Sequence, residues 1–357
     1  MDLFDPIDLG ALHLANRVVM APLTRLRAGD AGVPNALMAE QYAQRASVGL
    51  IVSEGVYPGA ESRGYYGQPG VITDEQEAGW RLVADAVHDA GGRIVMQLMH
   101  AGRVSHPDLS GSDRTLAPSA VAISGAVHTQ HGKREHVVPH ALTADELVRV
   151  RDEFVEAARR ALRAGFDGVE LHGANGYLLH QFLSPVSNVR EDGYGGSAAA
   201  RARFVIEVAE AVAAEVGGDR VGIRISPMNQ AQDVVETDEA ETRATYEALL
   251  DGLRPLGLAY LSVLHADPAG ALVQDLRAHF AGPLVVNSGF GSVTSRAEAT
   301  GLIERAHADA VAVGRAIIAN PDLVDRWRAE APENAPRPEH FYTAGAEGYT
   351  DYPRLSA

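Results

Sequence analysis

The sequence predicts a closed (β/α)8 barrel, a TIM barrel, and three observations carry that expectation. Short β-branched runs alternate with amphipathic segments of helix length along the whole chain, the pattern of βα units and a parallel sheet. Each run is nearly all apolar until its C-terminal end, as strands covered on both faces should be. Eight such pairs can be counted, which favours a closed barrel over an open doubly wound sheet.

Taken in order, the opening LFDPIDLGALHLANRV reads as a hairpin turning at Gly10 and plugging the barrel bottom. The strand candidates are RVVMAP (17–22), GLIVSEG (49–55), RIVMQLMH (93–100), FDGVELHG (166–173), RVGIRISP (220–227), AYLSVLH (259–265), PLVVNSG (283–289) and DAVAVGR (309–315). Helix starts are expected at Asp74, with Glu77 three residues on, and at Thr143 with Glu146, both read as capping boxes. From Arg201 onward, Phe204, Val208 and Val212 fall on one helical face. Two long insertions follow strands three and four, residues 101–142 and 174–198. Both leave from C-terminal strand ends, where barrel enzymes keep their sites, and the first reads as a lid. With no linker and no repeat beyond the βα period, residues 1–357 are expected to form a single barrel domain.

Composition narrows the function. At 46% hydrophobic and 22% charged, the 357 residues have an ordinary globular make-up. Thirty-one basic residues against 47 acidic ones leave a net charge of −16, which repels nucleic acid and anionic lipid. No apolar run reaches the ~18 residues of a membrane span, and MDLFDPIDLG lacks a basic-then-apolar leader. The expectation is a cytoplasmic protein, monomer or homodimer, acting on a small molecule. The absence of cysteine removes thiolate metal sites, iron–sulfur clusters and cysteine nucleophiles, so redox chemistry would need an organic cofactor or a histidine-bound metal.

A barrel gathers its strand ends on one rim, here Thr24, Glu54, Gln97, His100, His172, Asn175, Arg224, Asn287, Ser288 and Arg315. Strands seven and eight end in N-S-G (287–289) and V-G-R (313–315), where glycine lets backbone N–H groups approach a phosphate and Arg315 adds a forked cation. Ordinary turn glycines and a surface arginine are the plainer alternative. Arg224, inside an apolar strand, needs an anionic or electron-rich partner; a ligand and a salt bridge to Glu54 are equally open. Gln97 offers a donor and an acceptor, as an amide-bearing heterocycle requires, or is a satisfied core glutamine. His172 and Asn175 could donate to one substrate oxygen while Tyr177 supplies a proton, a polarise-and-protonate site. No metal is expected: His172 and His180 lack partners in a known zinc spacing. His128, His131, His136 and His140 could in principle hold zinc or nickel, but a solvated polar loop is the simpler reading.

Seven blocks in order, APLTR (21–25), QLMHAGR (97–103), HGANGYLLHQFLSP (172–185), NVREDGYGGS (188–197), RISP (224–227), AVGRAIIANPDL (312–323) and AEGYTDYP (346–353), resemble the old yellow enzyme family of FMN-dependent ene-reductases over essentially the whole chain. The resemblance is strongest to the bacterial pentaerythritol tetranitrate and N-ethylmaleimide reductase-like group, which acts on enones, nitro compounds and nitrate esters. It implies a noncovalent FMN on the rim, with Thr24 and the backbone at Pro22 and Gly55 near its O4/N5 edge. Gln97 would then pair with the pyrimidine edge, Arg224 would face N1/O2, and Ser288, Gly289, Gly314 and Arg315 would hold the phosphate. His172 and Asn175 would grip the substrate oxygen, Tyr177 would be the proton donor, and Tyr65, Met99 and Tyr349 would line the pocket.

Three departures bear on substrate and flavin. Met99 stands where this group often has tryptophan, which implies a wider pocket. Asn175 replaces the second histidine of other members, and Thr24 replaces the cysteine of a further branch. The implied reaction takes hydride from NADPH or NADH and delivers it to the β-carbon of an activated alkene. Two rival classes share parts of the pattern. A cofactor-free isomerase or aldolase would use the same phosphate site, but no lysine ends a strand to form a Schiff base. A flavin-binding sensor or storage protein would not need Tyr177 beside His172 and Asn175.

Overall fold

A computed structural model describes residues 1–355 of the chain. Eight parallel strands close into a barrel: β1 (Val18–Met20), β2 (Leu50–Val52), β3 (Ile94–Leu98), β4 (Gly168–Gly173), β5 (Val221–Ile225), β6 (Tyr260–Leu264), β7 (Leu284–Asn287) and β8 (Ala310–Val313). Each pairs with its neighbours in sequence, and β8 returns to β1 with Val311 opposite Val18. All eight fall inside the expected runs. The ladder stops short of most predicted C-terminal ends because the chain there peels away to form the rim.

The uninterrupted apolar character of the strands follows from two cores. Val18, Met20, Ile51, Ile94 and Met96 point outward against the helices. Val19, Leu50, Val95 and Val285 point inward and meet Leu9, Leu12 and Leu14 of the N-terminal hairpin. That hairpin pairs Ile7–Leu9 with Leu12–Leu14 and turns at Gly10, whose φ is +58°. A Cβ at Gly10 would lie 2.3 Å from the Asp219 carbonyl oxygen, so glycine is required both for the turn and for its seat under the barrel.

The long helices start much as the pattern indicates. Thr143 and Glu146 form the expected reciprocal cap of the helix Ala144–Arg163. One boundary needs correction: the helix Asp74–Asp89 is capped by Thr73 with Gln76, not by Asp74 with Glu77. Gln76 Oε1 accepts from the backbone of Ile72 at 2.7 Å, whereas Glu77 is engaged by Arg160 and Arg163 of the helix Ala144–Arg163 at 3.0 and 2.9 Å. Phe204, Val208 and Val212 are buried on one face of Ala198–Val216. The first insertion contains an antiparallel hairpin, Ala126–Thr129 with Gly132–Glu135, and the second a short helix, Leu178–Leu183.

Candidate active site

The C-terminal rim surrounds a cavity of about 900 Å³, at the upper end of the usual range for small-molecule sites. Its wall draws on every barrel strand end except β2, together with the first insertion and the C-terminal segment. Because side chains alternate along a strand, Gln97, His172 and Arg224 enter from β3, β4 and β5, and Met99 from the residue just past β3. Pro22, Thr24, Asn287, Gly289, Gly314 and Arg315 complete the rim.

The chain after β4 turns abruptly. Asn175 and Gly176 both have positive φ, +57° and +81°, a conformation that asparagine and glycine tolerate best. The turn brings Tyr177 back beside His172, with ring centroids 5.0 Å apart. Tyr177 Oη shares a 2.6 Å hydrogen bond with Tyr65 Oη, and the Asn175 backbone N–H donates to Ser226 Oγ at 2.8 Å. Among the described residues, the side chains of His172 and Asn175 have no protein partner, although His172 Nδ1 and Asn175 Oδ1 are buried.

Burial sets the protonation states. Desolvation, and secondarily the charge of Arg224, hold His172 well below the ordinary histidine range, so its imidazole is neutral. Desolvation and the neighbouring Tyr65 push Tyr177 well above the ordinary phenol range, so it carries its proton. Arg224 Nη1 donates to Ser262 Oγ at 3.2 Å, while its Nε is buried without a partner. Buried polar atoms are normally satisfied. Three such gaps on one cavity wall are therefore the mark of a polar ligand.

Several expected residues stand elsewhere. Glu54 does not pair with Arg224; its Oε2 accepts the backbone N–H groups of Arg25 and Leu26 at 3.1 and 3.2 Å. The acid opposing Arg224 is Glu170. His100 lies behind the wall, stacked on Phe154, and burial lowers it to about 3. Gly55 also backs the wall: a Cβ there would lie 2.5 Å from Met99 Sδ. Ser288 is buried, with Oγ 3.2 Å from Thr294 Oγ1.

Tyr349 does not line the cavity. Its ring is fully buried beneath the guanidinium groups of Arg25 and Arg27, 5.0 and 4.3 Å from the ring centre. Arg25 donates to the Gly348 carbonyl at 2.6 Å and Arg27 to those of His340 and Phe341 at 3.0 Å. This clamp anchors the C-terminal segment, and Phe341, Tyr342 and Ala344 reach the cavity instead. In the first insertion, His128 and His136 line the cavity through the hairpin. His131 is exposed, and His140 binds Glu146 at 2.8 Å. His180 is turned away from the site, with Nδ1 accepting from Gly176 N–H and Nε2 3.1 Å from Glu236. Among the described residues no group of three metal-ligating side chains converges.

Fold and site together define a (β/α)8 barrel protein whose rim cavity is built to take a polar small molecule. Residues 2–334 match the NADH:flavin oxidoreductase / NADH oxidase family, and the chain belongs to it. A probable flavin mononucleotide-dependent alkene reductase of Leishmania infantum is 42% identical, with 98% of this chain and 96% of that protein aligned. The 12-oxophytodienoate reductase 1 of Oryza sativa subsp. japonica is 38% identical over 99% and 93%. Among solved structures, the old yellow enzyme homologue from Zymomonas mobilis superposes with a TM-score of 0.94 at 40% identity, covering 99% of this chain and 100% of that one. Morphinone reductase in complex with tetrahydroNAD gives 0.93 at 43%, over 100% and 98%.

Proposed function

We propose that the chain is a flavin-dependent ene-reductase whose FMN is held noncovalently by Pro22, Thr24, Gln97, Arg224, Gly289, Gly314 and Arg315, backed by Gly55 and Ser288. The fit rests on the cavity's unpaired donors and volume. Arg224 would face the electron-rich pyrimidine edge beside Gln97, with which it lines the cavity. Arg315, with Nη2 bonded to the carbonyls of Phe290 and Ser292, keeps other guanidinium donors for a phosphate. The chemistry FMN supplies when bound is hydride relay from NADPH or NADH to the β-carbon of an activated alkene.

The protein's own share is electrostatic and geometric. The unpartnered His172 and Asn175 donate to the carbonyl oxygen of an enone or maleimide, drawing electron density off the double bond. Nitro compounds and nitrate esters offer an acceptor oxygen to the same two side chains. Tyr177, kept protonated by burial, delivers its proton to the α-carbon, while Tyr65 fixes the phenol's direction. Met99, Tyr65 and residues 126–129 of the hairpin line the substrate side of the cavity. The carrying observation is the pair of unsatisfied side chains beside a tyrosine that is still a proton donor. A non-catalytic flavin sensor has no use for that arrangement, and the alkene and enone reductases among the relatives weigh against it.

One experiment tests the reading. Anaerobic NADPH should bleach the yellow protein, and cyclohexenone should restore the colour. Bleaching without restoration would return the sensor alternative, and colourless protein that refuses FMN would remove the reading altogether. We also place the protein in the cytoplasm as a monomer or homodimer, forming one barrel domain over its length. Its dependence on a nicotinamide reductant supports the location. Cell fractionation and light scattering test these points.

A further inference from the structure

One layer beneath the rim, a carboxylate lies inside the barrel that none of the roles above uses. Glu170 sits two residues before His172 on β4, on the same inward face, and is 1% exposed. Its Oε1 accepts from Gln97 Nε2 at 2.8 Å and its Oε2 from Tyr260 Oη at 2.9 Å. Gly222, on the strand between, makes room for that tyrosine: a Cβ there would lie 2.3 Å from its ring. Burying a carboxylate is costly, and an apolar replacement is often no less stable. The charge therefore needs a use.

Two consequences follow from its placement. Burial raises the Glu170 carboxyl above its usual range, against which the charge of Arg224 and the hydrogen bonds from Gln97 and Tyr260 hold it ionised; with both of its oxygens accepting, the Gln97 amide turns its nitrogen toward Glu170. The Gln97 oxygen is then left for the cavity that Gln97 lines. The second concerns Arg224, the next inward cation, which stands in register beside His172. Glu170 is the principal negative charge acting on it.

We propose that Glu170 is a positioning residue for the flavin: it presents the Gln97 oxygen to the imide N–H of the pyrimidine edge, and its charge tempers the preference of Arg224 for the reduced cofactor. The inference rests on the flavin reading above. It is tested on apoprotein titrated with FMN and with N3-methyl-FMN, which lacks that N–H, and by midpoint potentials from dye equilibration.

Wild-type protein should bind FMN at least about tenfold tighter than the methylated analogue, as expected for one buried hydrogen bond. In Glu170→Gln the amides can flip, and the preference should fall about tenfold. The potential should rise, by about 30 mV for each tenfold gain in affinity for reduced over oxidised FMN. Glu170→Asp keeps the charge but withdraws it from Gln97, so the preference should fall while the potential stays near wild type. A folded Glu170→Gln with unchanged preference and potential overturns the proposal. Should that variant not fold, Glu170→Asp decides alone, and an unaltered preference overturns it. Wild-type protein that binds FMN without discriminating defeats this inference only; wild-type protein that binds neither flavin defeats the functional reading as well.

Discussion

The phenol oxygens of Tyr65 and Tyr177 lie 2.6 Å apart across 112 residues of sequence. One phenol must donate to the other, and the shared hydrogen bond holds Tyr177 against the wall with its ring tilted toward His172. Tyr177→Phe keeps the ring and removes the proton. General-acid assistance contributes ~10²–10⁴ in rate, so alkene turnover should slow by about that factor while NADPH-driven bleaching keeps its rate. Stopped-flow traces of the two half-reactions check this, and equal alkene rates would release Tyr177 from its role.

His172→Ala should lower the rate with cyclic enones by ~10²–10³, the usual loss for one donor to a developing oxyanion. Steady-state assays at saturating NADPH read this directly, and full activity in the variant would contradict the His172–Asn175 clamp.

The pH profile of the alkene half-reaction should be flat between about pH 6 and 10 as far as His172 and Tyr177 are concerned. His172 is displaced downward and stays neutral below its ordinary pKa of about 6.5, whereas Tyr177 is displaced upward and stays protonated past about 10. An inflection near pH 6.5 that vanishes in His172→Gln would show that the imidazole titrates after all.

Arg315→Ala removes a charge-assisted hydrogen bond worth roughly 1.5–3 kcal/mol, or about 10- to 150-fold in FMN affinity. Fluorescence-quenching titration of the apoprotein measures it. Unaltered affinity would move the phosphate away from the ends of β7 and β8.

Acid should destabilise the fold through His100. Burial lowers this group to about 3 in the folded protein, against about 6.5 unfolded. Above pH 6.5 both states are neutral and its contribution is complete; below it the unfolded chain takes up a proton that the folded chain refuses. Stability is therefore lost as the pH falls from 6.5 toward 3, by roughly 2 kcal/mol at pH 5 from this group alone. Urea denaturation at pH 7 and pH 5, with His100→Gln as control, checks it: a variant that loses as much stability as wild type would assign the loss to other groups.

Much of this arrangement is legible in the amino-acid sequence. The eight strands and the plug at Gly10 follow from local patterning, because an apolar run bounded by polar residues has few other places to go in a barrel. Thr24, Gln97, His172, Asn175, Arg224 and Arg315 could be placed together because barrel topology brings every strand end to one rim. Glu170 escaped notice. Its only signal was an acidic residue within FDGVELHG, two places before His172, where alternation already pointed it inward.

Other residues carried no signal at their own positions. Tyr349 could be tied to the site through its sequence block, but nothing in the block shows that Arg25 and Arg27 would close over its ring and leave the cavity to Phe341 and Tyr342. The choice of Thr73 over Asp74 as a helix cap depended on Arg160 and Arg163, 83 and 86 residues downstream of Glu77, taking that side chain first.

By itself the amino-acid sequence determined the barrel, the face that bears the site and the residue types found there, since periodicity and strand-end polarity are local properties of the chain. Tertiary structure alone decided which acid opposes Arg224, which tyrosine meets which, and which way the Gln97 amide turns. Those outcomes depend on distances between groups far apart in sequence and on the loss of water around them, and neither is encoded at a single position.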